Sequence, residues 1–332
     1  MPSSSQHTSM GFPDRTVGIA AAVVTVLVWT LFIVIARASA DPTRGGTLTS
    51  FDIVFCRIVG ASLVLLPWGS VLAYRDRARG LNQSSLLGLS PLSLRVTTSV
   101  GLFGGLLYAL VAYNGFVFAP AAHASVLLPG SMPLWTALLA ALILHDHITA
   151  VRALGLGLIV LGDLMVGGAS LLRALDGGEV WKGDLLFMLG ATCWATYSVL
   201  ARHYRLDAVR ATIAITAFAF VIYVPIYSLL LLSHVLTGQL FTAPWQELLF
   251  QAGFQGWGSV VISGISFTKM IQYFGPVRST MITALVPGLS ALAAVLLLGE
   301  PLTWNLSVGL VLVTLGILFG VRAATARATR GT

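Results

Sequence analysis

Charge is scarce in this sequence. Only 9% of its 332 residues are charged and 57% are hydrophobic, and the mean hydropathy is +0.89. Soluble globular chains carry about 25% charged residues, and a chain with far fewer cannot cover its surface with polar groups. This shortage argues against a soluble protein with a large core and makes lipid the expected solvent for most of the chain.

Reactive and metal-binding patterns are also absent. The two cysteines, Cys56 and Cys193, fall inside apolar runs and lack the spacing of a disulfide framework or a metal site. The sequence contains no G-x-x-x-x-G-K-[ST] phosphate loop and no cluster of catalytic residue types. We therefore expect no catalytic residues, no metal, no cofactor and no enzymatic activity.

Long apolar runs dominate what is present. A helix that crosses about 30 Å of hydrocarbon needs roughly 20 apolar residues. The runs are continuously apolar, without the alternation of barrel strands, so we predict an all-α polytopic membrane protein with ten transmembrane helices. The predicted spans are 16–36, 52–73, 97–118, 121–144, 153–172, 184–202, 209–234, 250–273, 276–299 and 304–322.

The basic residues between the runs predict the orientation. With a cytoplasmic N-terminus, 14 Lys and Arg side chains lie on the cytoplasmic side and four lie outside, as the positive-inside rule requires. The net charge of +7 thus sets topology and does not indicate a nucleic-acid partner. We predict a multi-pass protein of a bacterial-type cytoplasmic (inner) membrane with both termini cytoplasmic. Residues 75–95 form either an interfacial helix or a plain basic loop.

The sequence repeats itself. Residues 125–164 match residues 279–318 without gaps at 14 of 40 positions, and a second echo lies at an offset of 165. The matched pairs that a Leu-rich composition does not explain are Pro133 with Pro287, Thr149 with Thr303, Gly155 with Gly309, Gly162 with Gly316, Trp29 with Trp194 and Arg37 with Arg202.

The repeated unit contains five spans. An odd number of crossings makes the second copy enter the membrane from the other side, so we predict an inverted repeat of the kind found in secondary transporters. The predicted organisation is an N-terminal tail (1–15), a first repeat (16–172), a connecting loop (173–180), a second repeat (181–322) and a C-terminal tail (323–332).

Several motifs carry a family resemblance. They are LLLGEPLT at 296–303, its degenerate copy LILHDHIT at 142–149, FCRIVGASLVLLP at 55–67 and GDLLFMLGATCWATYSVLAR at 183–202. With them the sequence, from about residue 16 to 322, resembles the ten-helix EamA-type members of the drug/metabolite transporter superfamily. The first copy departs from the pattern by having HD where the second has GE.

The resemblance implies a secondary transporter that moves a small organic metabolite by alternating access. An amino acid or related compound is the expected substrate and export the expected direction. A flippase for a lipid-linked sugar and multidrug efflux are the alternatives, and a membrane protein without transport is the least favoured. The expected partners are a small-molecule substrate and the lipid bilayer, with no nucleic acid, and the protein is either a monomer or a homodimer.

A central cavity is implied, and polar or aromatic residues at mid-depth are its candidate lining. Because these candidate residues carry few fixed charges, we expect the cavity to suit small amphipathic solutes. Arg57, one or two turns into the second span, is interpreted as snorkelling or as part of a structural ion pair. The candidate cavity residues are Trp29, Tyr108, Tyr113, Asn114, Trp194, Tyr197, Ser263 and Lys269.

Prolines and acids within the apolar runs are further candidates. Pro133 and Pro287 lie near the middle of their spans and predict kinks that border the cavity. Asp163, deep in the fifth span, is either a proton-coupling site or a protonated group bonded to a neighbouring helix. Asp146 and Glu300 stand at helix-to-helix corners, where we expect them to cap the helices that follow.

Overall fold

The structure is a computed structural model that describes residues 14–81, 85–175, 177–283 and 285–328. Within these ranges the chain forms helices joined by short connections and contains no β-strand. Most of the predicted N-terminal tail (1–15) and the end of the C-terminal tail lie outside the described residues. The stretch 75–95 contains the end of one helix and the start of the next, and its described residues between them form a loop.

The first half contains seven α-helices. Two π-helical segments, Leu102–Leu107 and Val126–Gly130, join α3 to α4 and α5 to α6. The helices are α1 (Asp14–Ala40), α2 (Ser50–Ala78), α3 (Leu94–Gly101), α4 (Tyr108–Phe118), α5 (Ala121–Ser125), α6 (Met132–Leu144) and α7 (Ala150–Ala174).

The second half repeats this layout. A π-helical segment, Ala252–Ile262, joins α10 to α11. It lies between α10 and α11 as Leu102–Leu107 lies between α3 and α4 in the first half. The helices are α8 (Val180–His203), α9 (Ala208–Leu232), α10 (Trp245–Gln251), α11 (Ser263–Thr283), α12 (Leu285–Leu298) and α13 (Trp304–Ala328).

The helices confirm an all-α polytopic membrane protein. Among the described residues, seven helical stretches are long and apolar enough to cross a membrane, and two shorter apolar helices, Leu285–Leu298 and Trp304–Gly320, follow them. The seven are Thr16–Ala40, Ser50–Ala78, Leu94–Phe118, Ala121–Leu144, Ala150–Arg173, Val180–His203 and Ala208–Leu232.

Helix α11 continues to Thr283, past residue 273, where the sequence predicts the eighth span to end. A Cβ atom built on Gly18, near the beginning of α1, would lie 2.8 Å from Cβ of Tyr273 in α11. Arg44, just after α1, donates to the carbonyl oxygen of Leu298 at the end of α12 (2.5 Å). Helix α11 therefore runs antiparallel to α1, and α12 runs parallel to it.

We name the two ends of the bundle from α1. The start face is the end at which α1 begins, and the opposite face is the end at which α1 finishes. Successive spans alternate between these faces, so the connection from α8 to α9 lies at the start face and the connection from α1 to α2 lies at the opposite face.

Four glycines bring α7 and α13 into close contact. A Cβ on Gly155 would lie 2.6 Å from the carbonyl oxygen of Gly316, and one on Gly162 would lie 2.7 Å from that of Gly309. Gly155 and Gly162 are the repeat partners of Gly309 and Gly316, so each contact recurs with the roles exchanged. Such a self-complementary contact lies on a two-fold axis, as inverted repeats require.

Candidate functional site

A cavity of about 540 Å³ lies between the two halves of the bundle. This volume is within the range of pockets that hold small organic ligands. Its lining is mainly apolar and aromatic, with several hydroxyl groups. The lining residues include Trp29, Phe32, Arg57, Gly104, Gly105, Tyr108, Pro129, Trp194, Tyr197, Asp207, Ala208, Ile215, Ser259, Ser263, Phe267 and Val286.

The cavity opens at the start face. Its lining includes Leu206, Asp207 and Ala208, which connect α8 to α9 at that face, and Asp207 is exposed. Towards the opposite face, the side chains of Tyr113 and Phe116 are at most 1% exposed and fill the space between the helices. The site is therefore a blind pocket that reaches one side of the bundle.

Aromatic side chains from both halves form the walls. The rings of Trp29 and Phe267 are 5.2 Å apart. Trp194 lies 4.9 Å from the ring of Tyr108 and 5.2 Å from that of Tyr197. Trp29 and Trp194, which the repeat relates, therefore occupy corresponding walls. Among the predicted cavity residues, these two, Tyr108, Tyr197 and Ser263 line the cavity.

Three predicted cavity residues lie elsewhere. The Tyr113 hydroxyl donates to Oε1 of Gln255 (2.6 Å) behind the cavity wall, since its ring packs into the layer that closes the pocket. Asn114 accepts a hydrogen bond from the Ser50 hydroxyl (2.8 Å) and so links α4 to α2. Lys269 is exposed on α11 and is not part of the lining, in keeping with the preference of a long cationic side chain for water.

The two prolines predicted to border the cavity, Pro133 and Pro287, are not part of its lining. Pro133 lies in the first turn of α6, after the π-helical segment Val126–Gly130, so the break precedes it. A proline is tolerated in a first turn because its missing N–H would have no partner there. Pro287 lies in the first turn of α12. The neighbouring residues Pro129 and Val286 contact the cavity instead.

Arg57 is the main cavity residue that the sequence interpretation missed. Its Nη1 atom donates to the Ser259 hydroxyl (3.0 Å), to the Gln255 carbonyl (3.3 Å) and to the Tyr113 hydroxyl (3.4 Å). The guanidinium carbon lies 5.9 Å from the ring centres of Phe32 and Tyr113. The position of Arg57 along α2 could have indicated its place in the cavity, because a side chain this far from the helix end cannot easily reach the membrane–water interface.

The two π-helical segments at the same level of the repeats also contribute to the lining. Gly104 and Gly105 come from the first, and Ser259 from the second. A π-helical turn displaces backbone groups from their usual partners and is frequent at functional sites. No periodicity in the sequence predicts such a turn.

The opposite face is sealed by Glu300. Its two carboxylate oxygens accept hydrogen bonds from the backbone N–H groups of Ala121 and Ala122, each at 3.0 Å, and Nε of Arg37 lies 3.5 Å from Oε1. Arg37 also donates to the carbonyl oxygen of Phe116 (2.8 Å). We call this group, Arg37, Glu300 and the N-terminus of α5, the clamp. It joins the ninth span to the fourth.

The capping roles predicted for the two acids are therefore wrong. Glu300 caps α5 from another part of the chain and not α13, which follows it. Asp146 pairs with Arg202 (2.8 Å), and the helix after it, α7, is capped by the Thr149 hydroxyl. The residue before each acid explains this, because His145 (φ 53°) and Gly299 (φ 64°) are both left-handed and turn the acid away from the next helix.

The pairs Arg37–Glu300 and Arg202–Asp146 correspond to each other in the repeat but differ in burial. The side chains of Arg37 and Glu300 are 22% and 10% exposed, whereas those of Arg202 and Asp146 are 64% and 27% exposed. An ion pair in contact with water contributes little. Asymmetry in burial therefore marks the opposite face as the closed one.

Asp163 is buried on α7, away from the cavity lining. Both of its carboxylate oxygens lack a hydrogen-bond partner among the described residues. A predicted bond to a neighbouring helix is thus not found in that part of the chain. The buried faces of Ile159 and Val166, one turn away on either side, make its surroundings apolar.

Together the helices, the two-fold glycine contact and the blind central cavity define a polytopic membrane protein of the transporter class. The chain belongs to the EamA-like transporter family, which matches residues 16–168 and 181–322. The matched ranges cover both repeats.

Similarity to individual proteins agrees with this family. An uncharacterized transporter, YyaM of Bacillus subtilis (strain 168), is 26% identical over 241 residues, which cover 71% of this chain and 75% of that protein. One solved crystal structure superposes on 95% of this chain and 99% of its own, with a TM-score of 0.51 and 21% identity. The likeness to the crystal structure shows the fold alone.

Proposed function

We propose that the protein is a secondary transporter that exports a small organic metabolite across the cytoplasmic membrane by alternating access. One observation carries the proposal: the central cavity reaches the start face and is sealed towards the opposite face by the clamp. The resemblance to EamA-type transporters implies an amino acid or a related compound as the substrate. If the start face is cytoplasmic, as the basic residues predict, the structure corresponds to the loading state of an exporter.

The repeat indicates how the second state forms. Thr49 and Asp207 are the N-caps of α2 and α9 and lie 158 positions apart. Pro67 and Pro225, inside the same two helices, have the same offset. Ala208 at the present mouth therefore corresponds to Ser50. In the inverted state we expect Ser50, now 7% exposed, to line a mouth at the opposite face.

Thiol labelling tests this exchange. In a background with Cys56 and Cys193 replaced by alanine, Ala208→Cys and Ser50→Cys are labelled with a membrane-impermeant reagent from each face. We expect Ala208→Cys to react from the start face and Ser50→Cys to react, more slowly, from the opposite face. A Ser50→Cys thiol that remains unreactive from the opposite face, in membranes where the protein exchanges solute, contradicts alternating access.

Energy coupling by Asp163 is tested in proteoliposomes that contain the full chain. If Asp163 carries the coupled proton, Asp163→Asn abolishes the effect of an imposed pH gradient and leaves exchange at equal pH intact. The same pH response in the wild-type protein and the variant removes the coupling role and leaves the transport proposal in place.

A further inference from the structure

The cation in the cavity, Arg57, is hydrogen-bonded to neutral groups. Within the described residues, no carboxylate lies within 4 Å of the Arg57 guanidinium, and its hydrogen bonds go to a hydroxyl of Ser259, a carbonyl of Gln255 and a hydroxyl of Tyr113. An ionisable group inside a membrane protein faces a partner or a wet cavity, because leaving it unpaired in hydrocarbon is costly. The charge of Arg57 is therefore available to a solute.

The geometry leaves the correct donors free. All three recorded bonds come from Nη1. The guanidinium has five N–H donors in a fixed fork, so Nη2 and Nε keep three for another partner. Two parallel N–H groups of this kind match the two oxygens of a carboxylate. The rings of Phe32 and Tyr113, each 5.9 Å away, hold the guanidinium plane in place.

The repeat does not impose this charge. Under the offset of 158 that relates α2 to α9, Arg57 corresponds to Ile215, which also lines the cavity. The repeat therefore does not explain the arginine on this wall, whereas a solute that binds to it does.

Negative charge in the lining is confined to the mouth. Among the described residues, Arg57 and Asp207 are the charged groups of the lining, and Asp207 is exposed where the cavity meets the start face. Oδ1 of Asp207 accepts from the backbone N–H of Arg210 (3.0 Å). The deep part of the cavity thus offers one cation and apolar or aromatic walls.

We infer that the cavity binds organic monoanions, specifically carboxylates with an apolar or aromatic body, whose carboxylate is held by Arg57 while the body packs between Trp29, Trp194 and Phe267. This inference names the substrate class of the proposed transporter and rests on that proposed function. It also predicts that an ammonium group on the solute weakens binding, since the deep lining provides no carboxylate to receive it.

Four probes with one body and different charges test the inference by titration calorimetry on the purified full chain. They are 3-phenylpropanoate, 3-phenylpropanamide, 3-phenylpropylamine and phenylalanine. A charge-assisted, bidentate contact in a partly dry site favours the acid over the amide by roughly 10-fold or more. We expect the acid to bind most tightly, phenylalanine more weakly, and the amine least.

Variants assign the preference to its residue. Arg57→Gln brings the acid and the amide to within about twofold, and Arg57→Lys retains part of the preference as a point charge. Arg79→Gln, which removes a positive charge from the exposed end of α2, leaves the preference unchanged. Thermal unfolding shows whether each variant is folded. The ratio of the wild-type protein's affinities for the acid and the amide tests the inference without any variant.

Two results overturn the inference. The first is that the amide or the amine binds the wild-type protein as tightly as the acid does, and an acid that does not bind below millimolar concentration counts as this result. The second is that the preference for the acid survives Arg57→Gln. Counterflow of labelled 3-phenylpropanoate in proteoliposomes separates this from the transport proposal. Charge-selective binding without counterflow contradicts transport alone, whereas equal counterflow of acid and amide contradicts the inference alone.

Discussion

At the scale of single residues, we predict that the carboxylate of Glu300 stabilises the closed opposite face. It accepts two backbone hydrogen bonds at the start of α5 and lies beside Arg37. In Glu300→Gln the amide has one acceptor oxygen in place of two and no charge. We expect the seal to weaken by about 1–3 kcal/mol, as for the loss of a charged hydrogen-bond partner. Labelling of Ser50→Cys from the opposite face should rise by roughly 5-fold or more.

Asp146→Asn is the matched control for this prediction. Its pair with Arg202 is mostly exposed, and an exposed ion pair contributes about 0–1 kcal/mol. Labelling of Ser50→Cys should therefore stay within about twofold of the parent. Equal effects of the two substitutions would show that neither acid selects the closed face.

What the sequence could predict at this scale depended on the repeat. Trp29 and Trp194 could be found because each occurs at the same place in its copy. Arg57 could not be assigned to the cavity, because its repeat partner is apolar and a side chain's direction is not visible in a continuously apolar helix. The partner of Glu300 was also out of reach, since it lies 178 residues away at Ala122.

At the scale of helices, the contact between α7 and α13 depends on glycine. A methyl group on Gly155 would meet the carbonyl oxygen of Gly316 at 2.6 Å, whereas a methyl group on Gly157 meets nothing within 4 Å. We expect Gly155→Ala to destabilise the protein by about 1–3 kcal/mol through overpacking. Gly157→Ala should be neutral or stabilise it by up to about 1 kcal/mol, because alanine is the better helix former.

Thermal unfolding in detergent compares the two alanine variants. They differ by two positions on one helix, so intrinsic helix preference is the same and only the contact differs. A Gly155→Ala protein as stable as Gly157→Ala would mean that α7 and α13 lie farther apart than described.

Helix positions followed from the sequence, because about 20 apolar residues must cross the bilayer as a helix. The places where helices deviate did not. The π-helical segments Leu102–Leu107 and Ala252–Ile262 leave hydropathy unchanged, and so does the continuation of α11 to Thr283. Tertiary packing determines these features, and local composition carries no record of them.

At the scale of the whole molecule, the basic residues predict the orientation in the membrane. We predict that a fluorescent protein fused after the C-terminus is fluorescent and that alkaline phosphatase inserted after Gly45, between α1 and α2, is active. Phosphatase inserted after Gly80, beyond the end of α2, should be inactive, because that connection lies at the start face with Arg75, Arg77 and Arg79. The reverse pattern would invert the protein and turn the proposed exporter into an importer.

The acids at the two ends of the bundle are held by different kinds of partner. Glu300 accepts hydrogen bonds from the backbone N–H groups of Ala121 and Ala122, whereas Asp146 accepts from the exposed side chain of Arg202. Opening the opposite face would break both backbone bonds, each worth about 1 kcal/mol. In the proposed transport cycle, we therefore expect the empty protein to favour the conformer whose mouth is at the start face.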